Sequence, residues 1–368
     1  MIRAAVTTTS PSAIRADRAW VDVDLDGLVA NARRVAEVSG ARLLPMVKGN
    51  GYGLGAVPVA RALERIEPWG YGVAAVEEAR ELRAGGIDRP VLLFTPALGS
   101  WLPALRASDV RPVLSDLDSL RQWLAESGGA PFHVSIDTGM ARGGFRHADR
   151  ALLAELAREL DGAKGYEGIC THFHSADSDP VATDRCWEDF EAVIRALGQR
   201  PPLVHAANSA AAMAGTRYAA DMVRPGIYLY GGRAGTAMPS VVATLRCSVV
   251  AVQRLAAGDP VSYGATWRAP GPVTLATLGI GYADGLPRSF GASGRVRLGG
   301  VDAPVRGRIT MDMTDVEAQP GARAGDTAVV FGAELPLDEQ AACAGTISYE
   351  LLTSLGNRVE RRYHGAEA

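Results

Sequence analysis

The chain has 368 residues, 47% of them hydrophobic, and 38 basic against 41 acidic side chains give a net charge of −3. That length suits a barrel plus a second domain, or two domains. The charge argues against a nucleic-acid or anionic-membrane surface, and without an apolar run of ~20 residues no membrane-spanning helix is expected.

The first residues, MIRAAVTTTSPSAIRA, lack the apolar stretch of a signal peptide, so 1–17 reads as a loose tail of a cytoplasmic protein. AWVDVDLDGLVANARRVA (19–36) reads as a strand and then a helix, with the strand a candidate to pair with a later domain. From 43 to 225, short apolar runs alternate with helical patterns whose apolar residues recur at i, i+3, i+4 and i+7. The expected strands are 43–48, 69–74, 91–94, 111–114, 132–137, 166–173, 203–206 and 221–224. Eight strands alternating with helices predict a (β/α)8 barrel over 18–240. A doubly wound sheet would need a G-x-G-x-x-G turn, and GNGYGLG does not have that order. From 241 to 368, strand-like runs separated by Gly, Pro and Asp turns predict a β-rich C-terminal domain. Cys170, Cys186, Cys247 and Cys343 are scattered without metal-ligand spacing and read as reduced, mostly buried thiols.

Of the basic residues only Lys48 and Lys164 are lysines. Arginine does not form an imine and hardly ever gives up its proton, whereas lysine does both, so amine chemistry here has two candidates. Chemistry in a barrel belongs at the C-terminal ends of the strands. Lys48 ends the first strand in PMVKGNGYGLG. Asp137, Thr138 and Arg142 follow the fifth, His172 ends the sixth, Asn208 and Ser209 follow the seventh, and Arg224 ends the eighth before PGIYLYG. Lys164 precedes the sixth strand, at the opposite end, and reads as a solvated turn residue. The Ser209 hydroxyl and the amides of Gly226 and Ile227 can donate to phosphate oxygens where barrels commonly hold phosphate. A lysine, a phosphate cradle and an arginine at one barrel mouth point to pyridoxal 5'-phosphate held as a Schiff base. Taken singly, Asp137 also reads as a turn cap and Ser209 as a helix cap.

These residues lie in segments that resemble the alanine racemases, the barrel-type (fold type III) pyridoxal-phosphate enzymes. VDVDLD (21–26), VKGNGYGLG (47–55), IDTGMARGGF (136–145), THFHSAD (171–177), HAANSAA (205–211), VRPGIYLYG (223–231), VSYGATW (261–267), GIGYADGLPR (279–288), GRITMDM (307–313) and TISY (346–349) follow the family's order and spacing. The resemblance implies a barrel followed by a β-rich domain, and an isomerase that interconverts L- and D-alanine with two bases. Lys48 would bind the cofactor and act as the base on one face of the substrate α-carbon. Tyr263, supplied by the partner subunit of a homodimer with shared active sites, would act on the other. Tyr52, Asn208, Ser209, Gly226, Ile227 and Tyr349 would hold the phosphate side. Arg224 would meet the pyridine nitrogen, with His172 between Arg224 and Tyr263, and a cationic Arg224–His172 neighbourhood would stabilise a tyrosinate. Arg142 and Met311 would hold the substrate carboxylate, Tyr282 would line the entrance, and Asp312 would have a supporting role. Two bases on opposite faces serve a reaction that removes and returns one proton. Free lysine titrates near ~10.4 and tyrosine near ~10, so both need tuning downward to work at neutral pH.

Five positions, in three places, depart from the family pattern. Ser135 stands where many members carry a carbamylated lysine beside the substrate-binding arginine, which implies a chloride near Ser135 and Arg142. Gly49, Gly51 and Leu54 replace the usual Ala, Ala and His, and Thr310 replaces a common cysteine. These departures leave open a racemase of serine or of a broader amino-acid set. A barrel-type decarboxylase would be expected to place a carboxylate where Arg224 stands. A non-catalytic pyridoxal-phosphate carrier would not need the second domain.

Overall fold

A computed structural model describes residues 17–365; the tail expected over 1–17 lies, apart from Asp17, outside the described residues. The strands between 42 and 223 run parallel, in the order β3 (Tyr71–Val73), β4 (Val91–Leu93), β5 (Val110–Leu114), β6 (Phe132–Asp137), β8 (Tyr166–Cys170) and β9 (Leu203–His205), with a short β7 (Phe145–Arg146) beside the end of β6. β10 (Met222–Val223) pairs in parallel with β2 (Arg42–Leu43). Hydrogen bonds from Asp221 N to Val204 O (3.0 Å) and from Val47 N to Gly72 O (2.9 Å) join this pair to its neighbours on both sides, and the barrel closes.

Several strands are shorter than their apolar runs. The run 43–48 supplies only the end of β2 and a single bridge from Met46 to Gly72, because Pro45 between them has no N–H to give a ladder. Within the run 166–173, β8 ends at Cys170; Thr171 N still reaches His205 O at 3.3 Å, and His172 follows at the barrel's mouth. Strands such as VLL at 91–93 are apolar throughout because both faces are buried. Leu92, Leu44, Val113, Cys170, Leu203 and Met222 fill the interior, while Val91 and Leu93 join the larger core. Asp116, Asp149 and Asp179 cap the outer helices Leu117–Glu126, Arg150–Leu160 and Pro180–Ala196, each accepting a backbone N–H of the first turn.

The second sheet has the order β16 (Val301–Pro304), β15 (Arg295–Leu298), β18 (Thr327–Phe331), β11 (Ala243–Leu255), β1 (Ala19–Asp24) and β19 (Glu360–His364), with β14 (Val273–Leu278) joining β11 to β17 (Thr314–Ala318). β1 therefore pairs with C-terminal strands on both sides, antiparallel to β11 and parallel to β19. Two contacts carry that sheet down onto the Lys48 loop. Tyr363 Oη donates to Leu54 O at 3.0 Å, and Arg361 Nε donates to Gly53 O at 3.0 Å. Cys170, Cys186 and Cys247 are buried, and all four cysteines are free. Among the described residues no helix is long and apolar enough to cross a membrane.

Candidate active site

The loop after Lys48 is a turn of the wrong hand. Gly49, Asn50, Gly51 and Tyr52 have φ of 64°, 54°, 60° and 53°, a left-handed run that costs ordinary L-residues about 1–2 kcal/mol each. Two of the four are glycine and pay no Cβ penalty; Asn50 tolerates the region and accepts from Ala56 N at 3.0 Å. The turn reverses the chain within five residues, so that Lys48 and Tyr52 line the same cavity. Glu78 secures its start, accepting from Gly49 N at 2.6 Å and, through its other oxygen, from Ala74 N at 2.8 Å.

Gly53 shows how closely the C-terminal domain presses on this loop. Its φ is +82°, and a Cβ there would stand 2.2 Å from Leu352 O, in the helix Ser348–Thr353 that carries Tyr349. Gly53→Ala is expected to cost at least about 2 kcal/mol, from the left-handed conformation together with the backbone clash. It should also loosen cofactor binding by displacing Tyr349. Urea unfolding and a cofactor titration check both effects.

One cavity of about 560 Å³ is lined by Lys48, Tyr52, His172, Asn208, Ser209, Arg224, Gly226, Ile227 and Tyr349. The predicted cofactor residues thus converge from the ends of several barrel strands and from the C-terminal domain. Ser209 Oγ accepts from Gly226 N (2.9 Å) and Tyr228 N (3.4 Å), while Asn208 Oδ1 caps the short helix Ser209–Met213 at Ala211 N (3.1 Å). Tyr52 stacks on Tyr230 with ring centroids 4.4 Å apart, and Tyr230 Oη is tied to Met46 O at 2.8 Å. Glu78, Met46, Phe94 and Tyr230 were not singled out in the sequence. Glu78 sits in a helical pattern where an acidic residue reads as a solvated face.

Burial is the largest influence on the Lys48 amine and pushes its pKa down. Arg142 and Arg224 push the same way, and Glu78 opposes them. Lys164 lies at the N-terminal end of β8, away from this cavity. Arg224 is 4% exposed, and burial lowers its pKa to about 10, which leaves it cationic at neutral pH. Its two Nη2 hydrogens are shared among Thr171 O (2.7 Å), Ala206 O (2.9 Å) and, at the longest distance, His172 Nδ1 (3.2 Å), and its Nη1 donates to His205 Nδ1 (2.9 Å). The expectation of a cationic His172 is corrected by this geometry. His172 offers Nδ1 as an acceptor, and burial, with Arg224, Arg142 and Lys48 nearby, pushes its pKa to about 3. Arg224 alone carries the charge of the pair, and the His172 Nε2–H remains to donate.

A second cavity of about 340 Å³ shares Lys48, Arg142, His172 and Arg224 with the first and extends to Thr95, Ser115, Ser135 and Asp137. Asp137 Oδ1 accepts from Gly139 N and Ala141 N, both at 3.0 Å, so it caps the turn that delivers Arg142. Thr138 points inward instead and pairs with Thr171 Oγ1 at 2.7 Å. Arg142 makes no hydrogen bond or ion pair with the described residues.

Tyr263, Tyr282, Met311 and Asp312 are not brought to Lys48 within one chain. Tyr263 is 71% exposed, and Met311 and Tyr282 are also exposed. Three of them share one corner of the C-terminal domain, where Tyr282 N donates to Thr310 O (3.1 Å) and Ala283 N to Met311 O (3.0 Å). Behind them the fully buried Asp284 accepts from Arg18, Arg358 and Gly281 N, and Arg358 reaches on to Asp312 Oδ1 at 2.8 Å.

A barrel with an amine of lowered pKa at its mouth, a hydroxyl and backbone cradle across the cavity and a buried arginine between them defines a lysine-dependent enzyme of the barrel class. Family models described as the alanine racemase N-terminal domain and C-terminal domain match residues 23–234 and 242–363. The chain belongs to the alanine racemase family. It is 38% identical to the alanine racemase of Symbiobacterium thermophilum over 370 residues, covering 95% of this chain and 98% of that protein. Against the alanine racemase of Methylacidiphilum infernorum it is 33% identical over 365 residues, covering 94% and 92%. The solved alanine racemase of Bartonella henselae with covalently bound pyridoxal phosphate superposes with a TM-score of 0.87 at 30% identity, covering 94% of this chain and 99% of that one. The alanine racemase from D-cycloserine-producing Streptomyces lavendulae superposes with a TM-score of 0.88 at 32% identity, covering 96% and 98%.

Proposed function

We propose that this protein is a pyridoxal-phosphate-dependent racemase that interconverts L- and D-alanine, acting as a cytoplasmic homodimer. The observation that carries the reading is the convergence of Lys48, Ser209, Gly226, Ile227 and Arg224 on one cavity. The residues fit the cofactor. A Cβ on Gly226 would stand 2.2 Å from Tyr52 Oη, so glycine there keeps the backbone and the phenol together as a cradle for phosphate oxygens. Bound at Lys48, pyridoxal phosphate supplies electron withdrawal that acidifies the substrate Cα–H.

The chain's own groups do the rest. Lys48, its amine favoured in the unprotonated form by burial, takes or returns the α-proton on one face. Tyr263 of the partner subunit does so on the other, which accounts for an active-site tyrosine lying 71% exposed on a single chain. The His172 Nε2–H is available to a tyrosine oxygen and helps stabilise it once it has lost its proton. Arg224 would hold the cofactor's ring nitrogen by a hydrogen bond without giving it a proton, which would restrain side reactions that need a stronger electron sink. Arg142, without a protein partner among the described residues, binds the substrate carboxylate together with the backbone at Met311 of the partner subunit. A chloride between Ser135 and Arg142 replaces the missing carbamate, and activity is then expected to depend on halide.

Incubation of the cofactor-loaded protein with L-alanine in deuterated water, followed by chiral chromatography, tests the reading. Deuterated D-alanine is expected. Turnover of serine but not alanine would reassign the substrate, and no exchange with any amino acid would refute the racemase reading.

A further inference from the structure

Behind Arg224 a chain of hydrogen bonds crosses the barrel interior, and its two ends allow one arrangement of protons. Arg224 Nη1 lies 2.9 Å from His205 Nδ1, His205 Nε2 lies 2.8 Å from His133 Nδ1, and His133 Nε2 lies 3.2 Å from Glu167 Oε2. Glu167 Oε2 also accepts from Arg111 Nε at 2.8 Å, and Arg111 lies over the Trp69 ring. Both histidines are fully buried. The chain joins β6, β8 and β9, and it runs from the catalytic mouth towards the opposite end of the barrel. Its fit is close: a Cβ on Gly168 would stand 2.3 Å from His133 Nδ1.

Arginine can only donate and a carboxylate can only accept. His205 must therefore present a bare Nδ1 to Arg224 and carry its proton on Nε2. His133 must accept on Nδ1 and donate from Nε2 to Glu167. The reverse tautomer at His205 would face one N–H with another. Burial lowers the pKa of both histidines, which agrees with neutral rings. Arg224 is otherwise held by the carbonyls of Thr171 and Ala206 and by His172, all neutral acceptors.

We propose that Glu167, His133 and His205 are positioning residues for Arg224: Arg224 fixes the His205 tautomer, the carboxylate at the far end accepts the His133 Nε2 proton, and the chain held at both ends keeps the guanidinium that faces the cofactor's ring nitrogen in one orientation. The inference rests on the reading of Arg224 given above, and the test separates the two. Long-range ¹⁵N NMR on histidine-labelled apoprotein reads the tautomers, with Glu167→Gln and Glu167→Leu as variants. The glutamine keeps an acceptor for both His133 and Arg111, whereas the leucine does not. Wild type and E167Q are expected to show His133 and His205 protonated on Nε2 only, and E167L, in which the His133 N–H has lost its acceptor while Arg224 still fixes His205, to show mixed tautomers at His133. In holoprotein made with ¹⁵N-labelled pyridoxal phosphate, the ring-nitrogen resonance should match wild type in E167Q and move in E167L. Cofactor affinity in E167L should fall roughly tenfold through the loosened charged hydrogen bond.

A wild-type His205 protonated on Nδ1 overturns the proposal without any variant, so it stays falsifiable if E167L fails to fold. Wild-type tautomers in E167L, with only a lower melting temperature, would reduce the chain to barrel packing and overturn it too. Scrambled tautomers beside an unmoved ring-nitrogen resonance would refute the reading of Arg224 at the cofactor, and the positioning role with it.

Discussion

Lys48→Ala is expected to lower racemisation by at least about 10³–10⁴-fold, the scale of losing a positioned proton-transfer group, and to lose covalent attachment of the cofactor as well. The size follows from the composition of the site. The chain has one other lysine, Lys164, and it lies at the far end of the barrel. Arg142 and Arg224, the other cations of the cavity, cannot form an imine. Burial, helped by those two arginines, lowers the Lys48 pKa, so the amine is unprotonated more often than a surface lysine's. Borohydride reduction with pyridoxal phosphate, followed by peptide mass spectrometry, should place the adduct on the peptide containing Lys48. An adduct confined to Lys164 would contradict the site.

The second large effect is acid sensitivity of the apoprotein. His133, His172 and His205 are all held neutral, chiefly by burial, with His172 at about 3. Their folded pKa values lie below the unfolded value of about 6.5, so the unfolded chain binds more protons below that pH. The stability is fully present above about pH 6.5 and is lost as pH falls towards the folded values. Three such groups give a slope approaching about 4 kcal/mol per pH unit, a large share of a typical domain's stability. Asp284 and Glu167 have folded pKa values lowered by their arginine, histidine and backbone partners against the opposing effect of burial. Their contributions are present above the usual carboxylate range and fade only at more acid pH. Urea unfolding of the apoprotein at pH 7.5, 6.5 and 5.5 should show near-constant stability and then a steep fall. A flat profile down to pH 5.5 would mean that the histidines are not buried as neutral rings.

The sequence made some of this legible for identifiable physical reasons. Lysine scarcity singled out Lys48, because imine chemistry excludes arginine. The β/α alternation gave the barrel because parallel strands buried on both faces leave short apolar runs between amphipathic helices. Strand ends were less legible. Pro45 interrupts a run that hydropathy reads as continuous, and β8 ends at Cys170 although the strand-like run continues to Phe173. The Arg224–His205–His133–Glu167 chain could not be read in advance, since its members lie up to 91 positions apart and meet only when the barrel closes. A histidine inside an apolar strand looks the same in sequence whether it packs or positions. The charge state of His172 also depended on geometry, because only the structure shows Arg224 donating to its Nδ1.

The central claim is that the site is complete only between two chains, with Lys48 from one and Tyr263 from the other. Mixing and re-forming dimers from two inactive variants, Lys48→Ala and Tyr263→Phe, tests it most directly. Random reassociation places one intact pair in each mixed dimer, so about a quarter of wild-type sites should reappear and racemase activity should recover to match. No recovery, in a mixture shown by mass spectrometry to contain mixed dimers, would contradict the shared two-base site.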